Sequence, residues 1–156
     1  MGLDESWLQQ AVDLAVANVS EGGGPFGAVV VHGADLVATG QNRVTRDNDP
    51  TAHAEIIAIR AACTARSDFA LPGCVLYSSC EPCPMCVAAA MWARVDRIVY
   101  AADRADAARG GFDDQDFYEL FGRDRSTWPV AVQEIRVPGT VSPFEAWLAE
   151  ENRTPY

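Results

Sequence analysis

Short apolar runs alternate with longer stretches of helical periodicity along the whole chain, and that alternation limits the fold more than any other feature. Trp7, Leu8, Ala11, Val12, Ala15, Val16 and Val19 form one stripe between Asp4 and Ser20. They predict an amphipathic helix, which Glu21-Gly22-Gly23-Gly24-Pro25 stops. Ala28–Val31 and Leu36–Thr39 flank Gly33-Ala34-Asp35, the pattern of a β-hairpin. A polar loop from Gln41 to Pro50 leads into a second helix, from about Thr51 to Ala65. Cys74–Ser79 reads as a third strand, feeding a helix that opens at Pro82 or Pro84 and runs to Trp92. Proline suits that first turn, where its missing N–H has no intrahelical partner to lose. Arg97–Ala102 and Val130–Val137 read as a fourth and a fifth strand, with short helices broken at Gly110-Gly111 between them. Ser142-Pro143-Phe144-Glu145 is a capping box for the last helix. The order αββαβαβ(α)βα predicts an α/β fold in one domain over residues 1–156, a single sheet with helices on both faces.

The 156 residues suffice for one core, and 49% of them are hydrophobic, so no disulfide support is needed. No apolar run approaches the ~20 residues of a bilayer span. The N-terminus lacks the basic and apolar regions of a signal peptide, so no membrane partner and a cytoplasmic location are expected. Twelve basic residues face 22 acidic ones, a net charge of −10, and all twelve are arginine. Without lysine, Schiff-base chemistry and a P-loop are both excluded. Without a basic cluster, nucleic acid is not an expected partner, and a small neutral substrate fits better. The five cysteines, an odd number, point to thiolate or metal chemistry rather than a disulfide framework.

Two segments concentrate the chemistry. His53-Ala54-Glu55 opens the second helix, and Pro82-Cys83-Pro84-Met85-Cys86 opens the third. Helix N-termini favour negative charge and lower thiol pKa values. Cys83 and Cys86 lie one turn apart, and His53 adds a third ligand of a type zinc prefers. Three protein ligands leave a fourth tetrahedral position for water, the mark of a catalytic site. Glu55 would lie beside the metal without ligating it, where a proton shuttle belongs. Taken alone, the Cys-x-x-Cys also fits a redox pair or half a zinc ribbon. No second Cys-x-x-Cys exists to complete a ribbon, and no structural zinc site requires Glu55. His-x-Glu with Pro-Cys-x-x-Cys is a known signature of zinc deaminases.

Further segments carry a resemblance: Gly24-Pro25-Phe26-Gly27-Ala28, Asn42, Asn48-Asp49-Pro50-Thr51-Ala52-His53-Ala54-Glu55, Ser79-Cys80-Glu81-Pro82-Cys83-Pro84-Met85-Cys86, Trp92-Ala93-Arg94, Gly111-Phe112-Asp113-Asp114, Ser142-Pro143-Phe144 and the terminal Tyr156. On these the sequence resembles the cytidine deaminase-like superfamily, and within it the short bacterial guanine deaminases. The resemblance runs nearly end to end. It implies a three-layer α/β/α sandwich with a five-stranded mixed sheet, one zinc per chain, and a homodimer with exchanged C-terminal segments. It makes His53, Cys83 and Cys86 the zinc ligands and Glu55 the proton shuttle. Asn42 would hydrogen-bond the base, Phe26 and Trp92 would line the pocket, and Asp114 would meet the exocyclic amine. Ala54 and Asp113 would adjoin the substrate, and residues 153–156 would form a lid carrying Tyr156. As residues alone, Asn42 could instead close an Asx-turn, Asp113 or Asp114 could cap a helix, and Phe26 and Trp92 could be core. The expected reaction is hydrolytic deamination of guanine to xanthine. Cytosine, an aminotriazine, guanosine or a tRNA adenosine are the alternative substrates, and a non-catalytic zinc module is the alternative role.

Overall fold

The computed structural model describes residues 2–156, apart from the side chain of Asp114. Helix α1 (Leu3–Ser20) precedes the hairpin β1 (Gly27–His32) and β2 (Asp35–Gln41). A four-residue helix, α2 (Val44–Asp47), lies in the polar loop, where so short an element leaves no periodicity to read. Then come α3 (Ala54–Arg66), β3 (Cys74–Cys80), α4 (Pro84–Trp92) and β4 (Arg97–Ala102). Helices α5 (Arg104–Arg109) and α6 (Asp114–Phe121), a 3₁₀ turn at Arg125–Thr127 and α7 (Ser142–Ala149) complete the chain.

The sheet runs β2-β1-β3-β4. β1 is antiparallel to β2 and β3, whereas β3 and β4 are parallel and joined through α4, the crossover a parallel pair needs. Alternation along β1 divides two cores. Val29 and Val31, with Tyr77 of β3, pack under Trp7, Leu8 and Leu14 of α1. Ala28 and Val30, with Leu76, pack under Ala54, Ala58, Ile59 and Ala62 of α3 and Ala90 of α4. Helices therefore cover both faces of the sheet. The α1 stripe is wider than the surface it covers: Ala11 and Ala15 are buried, but Val16 and Val19 are exposed.

Helix α3 approaches the sheet as closely as backbone allows. A Cβ on Gly40 would lie 2.1 Å from the Ala54 carbonyl oxygen and 2.5 Å from the Ala58 nitrogen. Only glycine fits there, and the contact sets the height of the first turn of α3 above β2.

The expected fifth strand is absent among the described residues: the sheet has four strands, and residues 131–137 pair with none of them. Residues 129–152 are exposed throughout, including Val130, Val132, Ile135 and Val137. Apolar β-branched residues record a capacity to pair, but a strand also needs a partner edge within reach. β2 and β4 are the edge strands of the sheet, and this segment pairs with neither.

Candidate active site

His53 and Cys83 are the N-cap residues of α3 and α4, both with extended backbone. Two helix N-termini thus meet at one point beside the sheet. Cys86 lies one turn into α4 and is fully buried. The Cys83 and Cys86 Sγ atoms are 3.6 Å apart, and His53 Nδ1 lies 3.6 Å from Cys83 Sγ and 3.5 Å from Cys86 Sγ. Zn–S bonds of about 2.3 Å and Zn–N bonds of about 2.0–2.1 Å at tetrahedral angles would set two sulfurs roughly 3.8 Å apart, and sulfur and nitrogen roughly 3.5 Å apart. The three measured edges match that face of a tetrahedron, so the group can hold one metal ion of zinc's kind.

The electrostatics agree. Cys83 is held down to about 4, chiefly by the hydrogen bond from Cys86 and then by His53, against the upward pull of burial. Cys86 is pushed well up by the same bond and by its burial. The pair readily holds one negative charge, and a cation in place of the remaining proton would let it hold two. Glu55, on the first turn of α3, is buried beside them. Burial raises its carboxyl above the ordinary range, partly offset by a hydrogen bond that Ser78 Oγ donates to Oε1 at 3.1 Å. Its Oε2 lies 3.6 Å from Cys86 Sγ. A carboxyl so placed binds protons at higher pH than an exposed one, as a general base working near neutrality requires.

A cavity of about 450 Å³ opens over this group, within the ~300–1,000 Å³ of small-ligand sites. His53, Glu55, Cys83, Phe26, Asn42 and Asp113 all line it. Phe26 meets Phe112 edge to face, with ring centroids 4.7 Å apart. Asn42 closes an Asx-turn, its Oδ1 accepting the Val44 N–H at 3.2 Å, and lines the cavity as well. Asp113 stands at the N-cap of α6 but makes no capping hydrogen bond with its side chain. Ala54 is fully buried in the core and is not among the residues that line the cavity.

Two expected residues are not brought here. Trp92 is 61% exposed at the end of α4 and lies 5.9 Å, ring to ring, from Tyr156. Together with Phe69 and Thr154 they line a separate cavity. The side chain of Asp114 lies outside the described residues.

The cavity also takes in Gly22, Gly23, Gly24, Val44, Thr45, Glu81, Phe112 and Phe117, none of which sequence reasoning assigned to a site. Gly22 and Gly23 registered only as a helix stop, and Gly24 as the start of a segment that carries the resemblance. Glu81 sits directly before Pro82 and is held by Arg104, whose Nη2 donates to Oε1 at 2.5 Å. Glu81 is partly buried, and its place beside the cysteine motif was the one signal available in the sequence.

Residues 1–102 match the cytidine and deoxycytidylate deaminase zinc-binding region. The chain belongs to that family. Guanine deaminase of Bacillus subtilis (strain 168) is 45% identical over 153 residues, 97% of this chain and 98% of that one. A crystal structure of guanine deaminase from Bacillus subtilis superposes with a TM-score of 0.94 at 45% identity, covering 97% of this chain and 98% of that one. The tRNA-specific adenosine deaminase of Buchnera aphidicola (Schizaphis graminum) is 36% identical over 109 residues, 70% of this chain and 72% of its own. That match is shorter and more distant. The family is zinc-binding, and His53, Cys83 and Cys86 are the described residues that can hold its metal.

Proposed function

We propose that this chain hydrolyses guanine to xanthine and ammonia. The observation that carries the reading is the 45% identity to a guanine deaminase over 97% of the chain. The cavity supports it, with aromatic and polar walls and the His53–Cys83–Cys86 group beside Glu55.

Zinc, when held by His53, Cys83 and Cys86, supplies the Lewis acidity that makes hydroxide from water at neutral pH. Glu55 takes the proton from that water on its carboxylate and passes it to a ring nitrogen next to C2 of the base. Once the hydroxide oxygen has bonded to C2, Glu55 takes the second proton from the new C2 hydroxyl and hands it to the amine; the C2–N bond then breaks, ammonia departs and the hydroxyl oxygen becomes the C2 carbonyl of xanthine. Ser78 holds Oε1 of Glu55 and so fixes the carboxylate plane. Phe26, backed by Phe112, offers an aromatic face to the planar base, and Asn42 offers a fixed amide at its edge. Asp113, at the start of α6, adjoins the base from the cavity wall. An excess of ten negative charges without a lysine disfavours a tRNA substrate.

The active form is a dimer in which C-terminal segments are exchanged. Residues 129–152 are exposed in one copy, and α7 leaves Phe144, Trp147 and Leu148 uncovered. A second copy would cover this apolar surface, pair the segment around residues 130–137, and bring Trp92 and a Tyr156 tail to a cavity they do not reach within one chain. No helix among the described residues is long and apolar enough to cross a membrane, and the enzyme works in the cytoplasm.

Ammonia release from guanine, guanosine, cytosine, adenine and an aminotriazine tests the substrate. Guanine should give the highest kcat/KM. A higher value for any other member would replace guanine with that member.

A further inference from the structure

Asn18 ends the buried face of α1 and is wholly inaccessible, although it is a polar residue in a helix whose other buried positions are alanine. Two of the three hydrogen bonds of its side chain go to residues of the cavity wall. Nδ2 donates to the Gly24 carbonyl and to the Asn42 carbonyl, each at 2.8 Å. Oδ1 accepts from Arg46 Nη2 of α2, and Arg46 also reaches Glu21 at 3.4 Å. Gly23 lies flat against the amide: a Cβ there would come within 2.4 Å of Nδ2. Gly23, Gly24 and Asn42 all line the cavity, and a Cβ on Gly24 would lie 3.1 Å from the Asn42 side chain. One buried amide therefore ties the glycine turn to the end of β2, and the position of the Asn42 side chain follows from that tie.

We infer that Asn18, anchored by Arg46, is a positioning residue for substrate recognition: it fixes the glycine turn and Asn42 in the geometry that grips the base. This rests on the reading of Asn42 as a base contact. Asn18 touches neither the metal group nor Glu55, so it acts on binding rather than on the chemical step. Loss of Nδ2 would take the side-chain donor from the buried Asn42 carbonyl and leave the partly buried Gly24 carbonyl with the Phe26 N–H, at 2.8 Å, in its place.

Asn18→Asp keeps the shape and the Arg46 contact but replaces the donor with an acceptor facing two carbonyls. With zinc content measured and equal to wild type, KM for guanine should rise about tenfold to a hundredfold while kcat stays within about threefold. In an Asn42→Ala background the same change should raise KM little further, because its route to the base is already gone. An unchanged KM, a collapse of kcat at constant KM, or full additivity with Asn42→Ala would overturn the inference. Should Asn18→Asp fail to fold, Arg46→Met decides in its place. It should raise KM about threefold to tenfold with kcat and zinc retained, and an unchanged KM would refute the role. If wild type does not turn over guanine, the proposed activity fails separately, and the same comparison is made with whichever base of the panel it deaminates best.

Discussion

Replacing Gly40 with alanine should slow catalysis from a position on β2 that does not line the cavity. The added Cβ would lie 2.1 Å from the Ala54 carbonyl oxygen and 2.5 Å from the Ala58 nitrogen. Both are helix backbone and cannot rotate aside. To bring the closer contact even to 3.0 Å, α3 and β2 must separate by 0.9 Å along that line. Forced overpacking of this kind costs about 1–3 kcal/mol, which lowers Tm by roughly 2–12 °C in a chain of this size. Glu55 immediately follows Ala54, so the displacement is passed to its carboxylate. A misplacement of about 1 Å at a reacting group costs on the order of 100-fold in rate. The assay is xanthine formation at saturating guanine, with zinc content and Tm measured on the same preparation. A Tm drop with wild-type kcat would show that this contact does not set the position of Glu55. Wild-type values of both would show that the close approach is not there.

Three further outcomes follow from the same geometry. Cys86→Ala should lose zinc and activity together and lower Tm, because metal binding to three preplaced ligands contributes to folding; metal analysis showing a full complement would contradict the ligand assignment. The Arg104 hydrogen bonds beside Glu81 hold its carboxyl below the ordinary range, so the pair stabilises the fold above about pH 4.3, the unfolded value, and that contribution is lost as pH falls through the lower folded value. Glu81→Gln should accordingly lower Tm at pH 7 and much less at pH 3, and an equal drop at both would refute the linkage. Deleting residues 153–156 should leave zinc content and the dimer intact while raising KM for guanine or lowering kcat, and an unchanged kcat/KM would dispose of the lid.

What could be read from the sequence tracks the range of the interaction that decides each feature. The hairpin, the helix that opens at Pro84 and the His53, Cys83 and Cys86 group depend on local periodicity, proline geometry and ligand spacing, and the structure realises all three. The residues 130–137 met the pattern of a strand, yet the segment pairs with neither outer strand of the sheet, β2 or β4, and periodicity does not encode such a long-range contact. Trp92 is a pocket aromatic only by the resemblance, and at the end of α4 it lies beside Tyr156 and lines a separate cavity. Asn18 was passed over as one polar residue at the end of a helix, since its partners Gly24, Asn42 and Arg46 lie on three later segments. Phe117 was missed for the same reason, since it lies on α6, far along the chain from the cysteine motif whose cavity it lines.

Turnover of guanine by Glu55→Gln at full zinc occupancy tests the central claim most directly. The substitution keeps the size and burial of the side chain and the contact with Ser78, and removes only the ability to carry a proton. Wild type should convert guanine to equal amounts of xanthine and ammonia, and Glu55→Gln, with zinc unchanged, should be slower by about 10²–10⁴-fold or more. A zinc-loaded Glu55→Gln enzyme that retained a rate within about tenfold of wild type would contradict the account, because general acid–base catalysis would then have to come from elsewhere.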